Sequence, residues 1–148
     1  MKRQIIIDNL KIALERIAKH KGFNFYHDVK TVDVWRKIPF NDDDMPAINI
    51  EDSTCNIEAL ASNYNKIHKR LLDVTLKGVV LGDDTDGDAR KLISDIYLAI
   101  SIDPTWGGQA IRTIPISDEI DFEHSDNKHG SILIKIQILY HTKGWEEI

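Results

Sequence analysis

One cysteine, Cys55, stands in 148 residues, so neither an internal disulfide nor a cysteine-based metal cluster can form within one chain. The sequence reads Cys55 as a small, semi-buried apolar residue rather than a nucleophile. Apolar runs of about 18 residues or more are missing, which excludes a membrane-crossing helix. Met1-Lys2-Arg3-Gln4 leads into a charged amphipathic pattern instead of the continuous apolar region of a signal peptide. A soluble protein made in the cytoplasm is the expectation. Excess positive charge is lacking too. At a formal net charge of −5, the chain is not expected to be a general binder of nucleic acid, which needs clustered Lys and Arg to neutralise phosphates. What is present is ordinary: the length suits one domain over residues 1–148, and 42% hydrophobic residues suffice for one core.

The densest local signal runs from Val34 to Ile50, where two strand-like runs are joined through the acidic turn Asp42-Asp43-Asp44 and closed by Pro46. Before it, Ile6, Ile7, Leu10, Ala13, Leu14, Ile17 and Ala18 recur at helical spacing. Lys19-His20-Lys21 before Gly22 predicts a cationic last turn and a stop for that helix. Phe23–His27 and Thr31–Lys37 read as a hairpin or two short neighbouring strands, with Ala47–Glu51 as a third strand. From His68 to Leu81 the period is two. Leu72, Val74, Leu76, Gly78 and Val80 share one face, and Lys69, Asp73, Thr75 and Lys77 share the other.

Thr85-Asp86-Gly87-Asp88 has the character of a helix cap, and Ala89, Leu92, Ile93, Ile96, Tyr97 and Ile100 form an apolar stripe ended by Pro104 and Gly107-Gly108. Ile111–Ile116 and Ser131–His141 read as strands separated by a long polar loop, 117–130. In the last strand Ile132, Ile134, Ile136, Ile138 and Tyr140 alternate with Leu133, Lys135, Gln137, Leu139 and His141. The expected architecture is therefore α+β: a mainly antiparallel, mixed sheet with two helices packed on one face.

Searches for chemistry end in isolated residues. Asp84-Thr85-Asp86-Gly87 imitates a calcium loop, but with Gly87 as its turn glycine the first ligand position is Gly82 and the last is Ile93. Helix capping accounts for the same residues. Asp121, Glu123, His124, Asp126 and His129 could supply ligands to zinc or manganese and would define a metal-dependent hydrolase, yet their spacing follows no metal signature and suits a solvated loop. No serine has a Gly-x-Ser-x-Gly context, and Gly78, Gly82 and Gly87 do not make a phosphate-cradling loop. Trp35, Trp106 and Trp145 are each either interface anchors or partly buried core residues. No catalytic residue, cofactor or metal is assigned, and a small-molecule binding module has no residue-level support.

The order of elements, Trp35-Arg36-Lys37-Ile38-Pro39-Phe40, the acidic turn running into Met45-Pro46-Ala47-Ile48 and the strand Lys69-Arg70-Leu71-Leu72-Asp73-Val74 resemble the tail-terminator or tail-completion proteins of tailed bacteriophages. The helix Ala89–Ile100 before Gly107-Gly108, and the closing Tyr140-His141-Thr142-Lys143-Gly144-Trp145, are similar to the same family. The resemblance implies a non-enzymatic subunit that forms a ring, usually a hexamer, on the head-proximal end of the tail tube. Its partners would be further copies of itself, the tube protein and a neck or head-completion protein. Its places would be the host cytoplasm during assembly and then the virion tail. Another neck or head–tail joining component is the alternative within that class. Candidate interface residues are Trp35, Arg36, Phe40, Asp42, Asp43 and Asp44 in the turn, and Lys69, Asp73, Thr75, Lys77, Lys135 and Gln137 on the mixed strand faces.

Overall fold

The computed structural model describes residues 1–19, 22–60 and 67–143. In chain order these form helix α1 (Lys2–Glu15), strand β1 (Thr31–Val34), a 3-10 turn (Asp42–Asp44), β2 (Ala47–Ala59), β3 (Ile67–Leu81), helix α2 (Thr85–Ile102), β4 (Arg112–Ile120) and β5 (His129–Lys143). The strands make one sheet in the order β1-β2-β3-β5-β4, parallel between β1 and β2 and antiparallel elsewhere. This is the expected α+β class.

Period-two alternation decides which face is covered. Leu72, Val74, Leu76 and Val80 of β3 and Ile132 to Tyr140 of β5, taken every second residue, join one buried cluster with Ile6, Leu10 and Leu14 of α1 and Leu92 and Ile96 of α2. Both helices thus lie on the same face. Burying each such side chain stabilises the fold by roughly 1.5–3 kcal/mol before entropy is counted. Gly78 sits within this face because a Cβ there would stand 2.8 Å from Leu92 Cδ2 and 2.9 Å from Ile132 Cγ1. Cys55 packs partly buried against the cluster, with Sγ 3.9 Å from Tyr140 Oη. Burial, then Cys55, pushes the Tyr140 hydroxyl pKa up.

Helix α2 is capped by Asp84, one residue before the expected cap, whose carboxylate accepts the Gly87 N–H at 3.2 Å. Asp86 and Asp88 in the first turn complement the helix dipole. Past Ile102 the chain reverses through three successive left-handed residues, Trp106 (φ 52), Gly107 (φ 71) and Gly108 (φ 81). Asp103 holds the reversal by accepting the Gly107 N–H at 2.7 Å, and that bond, with those from Thr105, keeps its carboxyl below the usual range. Trp106 is thereby carried into the core, its Nε1 donating to Thr113 Oγ1 at 2.8 Å and its carbonyl accepting from Asn9 Nδ2 at 2.8 Å.

The first third departs from the sequence reading. Helix α1 stops at Glu15, so no cationic last turn forms; the Ile17 carbonyl instead accepts the Val29 N–H at 3.0 Å. His20 and Lys21 lie outside the described residues, as does the end of the run Tyr140–Trp145. Phe23–His27 is no strand, and no hairpin joins it to β1. Its backbone is held by Asp95, a residue of α2 only 1% exposed, which accepts the Tyr26 N–H at 2.8 Å, the His27 N–H at 2.9 Å and pairs with His27 Nδ1 at 3.1 Å. Strand β1 ends at Val34 because Trp35 turns left-handed at φ 53.

Strands β2, β4 and β5 are longer than expected, β5 by two residues at each end. β2 continues past Glu51 to Ala59 with a register shift between Asp52 and Cys55, and β4 continues past Ile116 to Ile120 with one between Pro115 and Ser117. The polar loop shrinks to residues 121–128 accordingly. Tyr97 of α2 donates to Asp118 of β4 at 2.7 Å, and burial followed by that bond raises the Tyr97 pKa to about 12.

Removing the buried acceptor strands two backbone N–H groups, each worth about 1–3 kcal/mol when unsatisfied. Asp95→Ala is therefore expected to lower the unfolding free energy by about 3 kcal/mol or more in urea titration, with a smaller loss for Asp95→Asn. Gly78→Ala is expected to destabilise by about 1–3 kcal/mol through overpacking beneath α2, measured the same way.

Candidate functional site

The connection from β1 to β2 is built by Arg36. Its backbone N–H donates to Asn49 Oδ1 at 2.9 Å, Nη1 pairs with Asp33 at 2.8 Å, Nε donates to the Ile38 carbonyl at 2.9 Å, and the guanidinium lies 4.4 Å from the Phe40 ring centre. Asp44 lies 3.6 Å from Arg36 Nη2 and also closes a capping box with Asn41. Trp35 Nε1 donates to Asp52 at 2.8 Å, and the same carboxylate meets Arg3 at 2.7 Å. Met45-Pro46 is a cis peptide. Of the three acids in the turn, Asp42 reaches His129 Nε2 at 2.7 Å and Asp44 faces inward to the loop, leaving Asp43 exposed.

This connection covers part of the sheet face that carries no helix. Ile48 and Ile50 point into the core, so Ala47 and Asn49 point the other way, yet they are 0% and 7% exposed. Beyond that covered end, the same face carries all six candidate strand residues. Asp73 pairs with Gln137, Thr75 lies opposite Lys135 and Glu51, and Lys69 lies opposite Glu58. Gln137 Nε2 donates to Asp73 at 3.1 Å, Lys77 meets Glu51 at 3.0 Å and Lys69 meets Glu58 at 3.9 Å. The result is a surface of mixed charge flanked by the half-buried Leu71, Val79 and Leu133. The turn residues and the strand residues thus fall into two groups: the first closes one end of the face and the second lines its open middle.

The histidine loop does not gather as a metal centre. His124 Nδ1 bonds Asp121 at 2.8 Å, whereas His129 is held between Asp126 at 2.9 Å on Nδ1 and Asp42 at 2.7 Å on Nε2. Among the described residues no three His, Cys, Asp or Glu side chains converge to hold a metal. The sequence reading took the loop and the acidic turn as separate features. Their meeting through the Asp42–His129 bond depends on a chain separation that no local pattern encodes.

One feature went unread in the sequence. Between α1 and the end of α2 lies a cleft of about 370 Å³, walled by Ile12, Phe23, Phe25, Ile102 and Trp106 with Arg16 at its edge. Phe23 and Phe25 looked like strand residues; their rings, 5.9 Å apart and tilted, instead form one wall. Trp35, at 48% exposed, and Trp106, at 1%, have opposite fates, while Trp145 lies outside the described residues. Among the described residues no helix is long and apolar enough to cross a membrane. Compared with protein-family models and with curated proteins, the chain matches none of either.

The Asp42 bond first, then Asp126, raises the His129 pKa above its ordinary 6.5, and backbone bonds to Lys128 followed by the His129 contact lower Asp126 to about 2. The His129 contribution is complete below pH 6.5 and is lost as pH rises through the raised value; the Asp126 contribution is complete above about pH 4 and is lost toward pH 2. The two loops should therefore be joined most firmly between these limits. Raising the pH from 6 to 9 is expected to lower Tm by about 1–2 °C more in the native chain than in His129→Gln, the scale of a solvated pair. An NMR titration of His129 should give a midpoint above 6.5.

Proposed function

We propose that this chain is a structural assembly subunit of a phage or prophage tail, a terminator whose copies close into a ring on the head-proximal end of the tail tube. The observation that carries the reading is the half-open sheet face, with Lys69, Asp73, Thr75, Lys77, Lys135 and Gln137 arranged as one surface of mixed charge. Such a surface suits a partner with matching charges, because Lys69, Asp73, Lys77 and Gln137 are each held in a fixed direction by a neighbour while Thr75 and Lys135 lie among them. In a ring every subunit presents two different surfaces, one to each neighbour. The mechanism is geometric: bound subunits cover the end on which the next tube ring would add and present their outer surface to a neck protein. No bond is made or broken, and no cofactor enters.

Light scattering across a range of concentrations tests self-association directly. A species near six times the 16.9 kDa subunit, about 100 kDa, is the expected outcome. Thr75→Arg, which sets a long cation beside Lys135, should leave the fold intact and return the mass to that of a monomer. In the turn, Asp43→Lys is the clean probe, since Asp42 and Asp44 hold the loop together. Normal tails and normal assembly from both variants would remove both surfaces from the reading.

A further inference from the structure

Phe122 is the most exposed large apolar side chain among the described residues, 81% exposed in the turn between β4 and β5 and flanked by Asp121 and Glu123. An aromatic ring held in water on a loop tip costs solvation free energy that a partner surface would recover. The cleft between α1 and α2 has the complementary form. Its volume of about 370 Å³ exceeds the roughly 150 Å³ that accommodates a benzene-sized ring in a protein core. Its lining is mostly aliphatic and aromatic, Arg16 stands exposed in it, and its other polar side chains are already committed, Asp103 to Thr105 and Gly107 and Asn9 to the Trp106 carbonyl.

The two features cannot meet within one molecule. The Gly82 N–H donates to the Lys128 carbonyl at 2.9 Å, which fixes the 121–128 loop beside the start of α2. The cleft lies at the other end of that helix, around Ile102 and Asp103. Eighteen helical residues separate these ends by about 27 Å. We infer that Phe122 of one copy inserts into the α1–α2 cleft of the next, with Glu123 facing Arg16. This inference rests on the self-association proposed above and supplies its contact. Knob and socket on different parts of the surface make a heterologous, head-to-tail interface, the kind that closes into rings.

Sedimentation velocity on Phe122→Ala, on Ile12→Asp and on their equimolar mixture tests it. Both positions are exposed, and circular dichroism melts check that each variant folds; Arg16→Glu serves in place of Ile12→Asp should that variant melt early. Each variant alone is expected to associate at least about thirtyfold more weakly than the native chain, as loss of a central anchor does. The mixture retains one intact knob and one intact socket, so it should form a dimer and stop there. Native-like assembly of both variants would overturn the contact while leaving a ring by another surface. Monomeric variants whose mixture also stays monomeric would overturn the head-to-tail arrangement. A native chain that stays monomeric at every concentration would overturn both the contact and the ring.

Discussion

Asp95 is the constraint on which the first third of the molecule depends. A carboxylate only 1% exposed in the second helix would be strongly destabilising without partners, and it finds them in the backbone N–H groups of Tyr26 and His27 and in the His27 ring. That arrangement draws the chain after α1 across α2. The Val29 N–H then meets Ile17, and the Lys30 N–H meets the Pro46 carbonyl at 2.9 Å, which sets β1 beside β2. Arriving from that side, β1 can only run parallel to β2, so the next connection must travel back over the sheet before β2 begins. The Arg36-centred loop is that return path. Thus one buried acid indirectly determines which part of the second sheet face is covered.

The two faces differ in how they are held. The helical face relies on dispersion and burial: side chains of five strands and two helices interlock, with Gly78 leaving room for Leu92. The other face relies on directed bonds, from Asn49 with Arg36 at one end to Gln137 with Asp73 in the middle. A solvated ion pair there contributes little to folding, on the order of 0–1 kcal/mol. Fixed polar groups are worth more to recognition, where a mismatched partner is rejected by the charges it leaves unpaired.

Strong periodicity was legible in the sequence and irregular chain was not. The alternation of β3 and β5 placed their core face, because burial on one face forces a spacing that the residues display, and the stripe of α2 found Ala89, Leu92, Ile96 and Ile100 but not the buried Asp95 and Ala99. The same alternation put Lys69, Asp73, Thr75 and Lys77 on one face of β3 and Lys135 and Gln137 on one face of β5, and the strand register joins the two sets into one surface. Phe23–His27 misled because aromatic composition resembles a strand, while the decisive partner lies on another helix at Asp95. The ends of β2 and β4 hid behind polar runs, Glu51 to Thr54 in one and Ser117 to Glu119 in the other, that read as loop. The turn Asp42-Asp43-Asp44 was visible, but its bond to His129 and the cleft beside Trp106 arise from tertiary packing.

The sheet edges bear on how such a molecule could associate. Growth by strand pairing needs a long row of free N–H and C=O groups along an outer strand. At one edge β1 offers four residues before the left-handed Trp35 ends it. At the other, β4 is interrupted at its middle by Pro115, which has no N–H, and by the register shift beside it, where Ile116 is 56% exposed. On the β1 side the edge then passes to residues 51–59 of β2, which have no strand beside them among the described residues and are broken only by the shift between Asp52 and Cys55. The contacts proposed between copies use side chains instead: the charged middle of the open face, the Phe122 loop and the α1–α2 cleft. Side-chain contacts set an angle between neighbours that a continuing sheet would not, and a fixed angle that divides the circle is the condition for a ring to close rather than a fibre to grow.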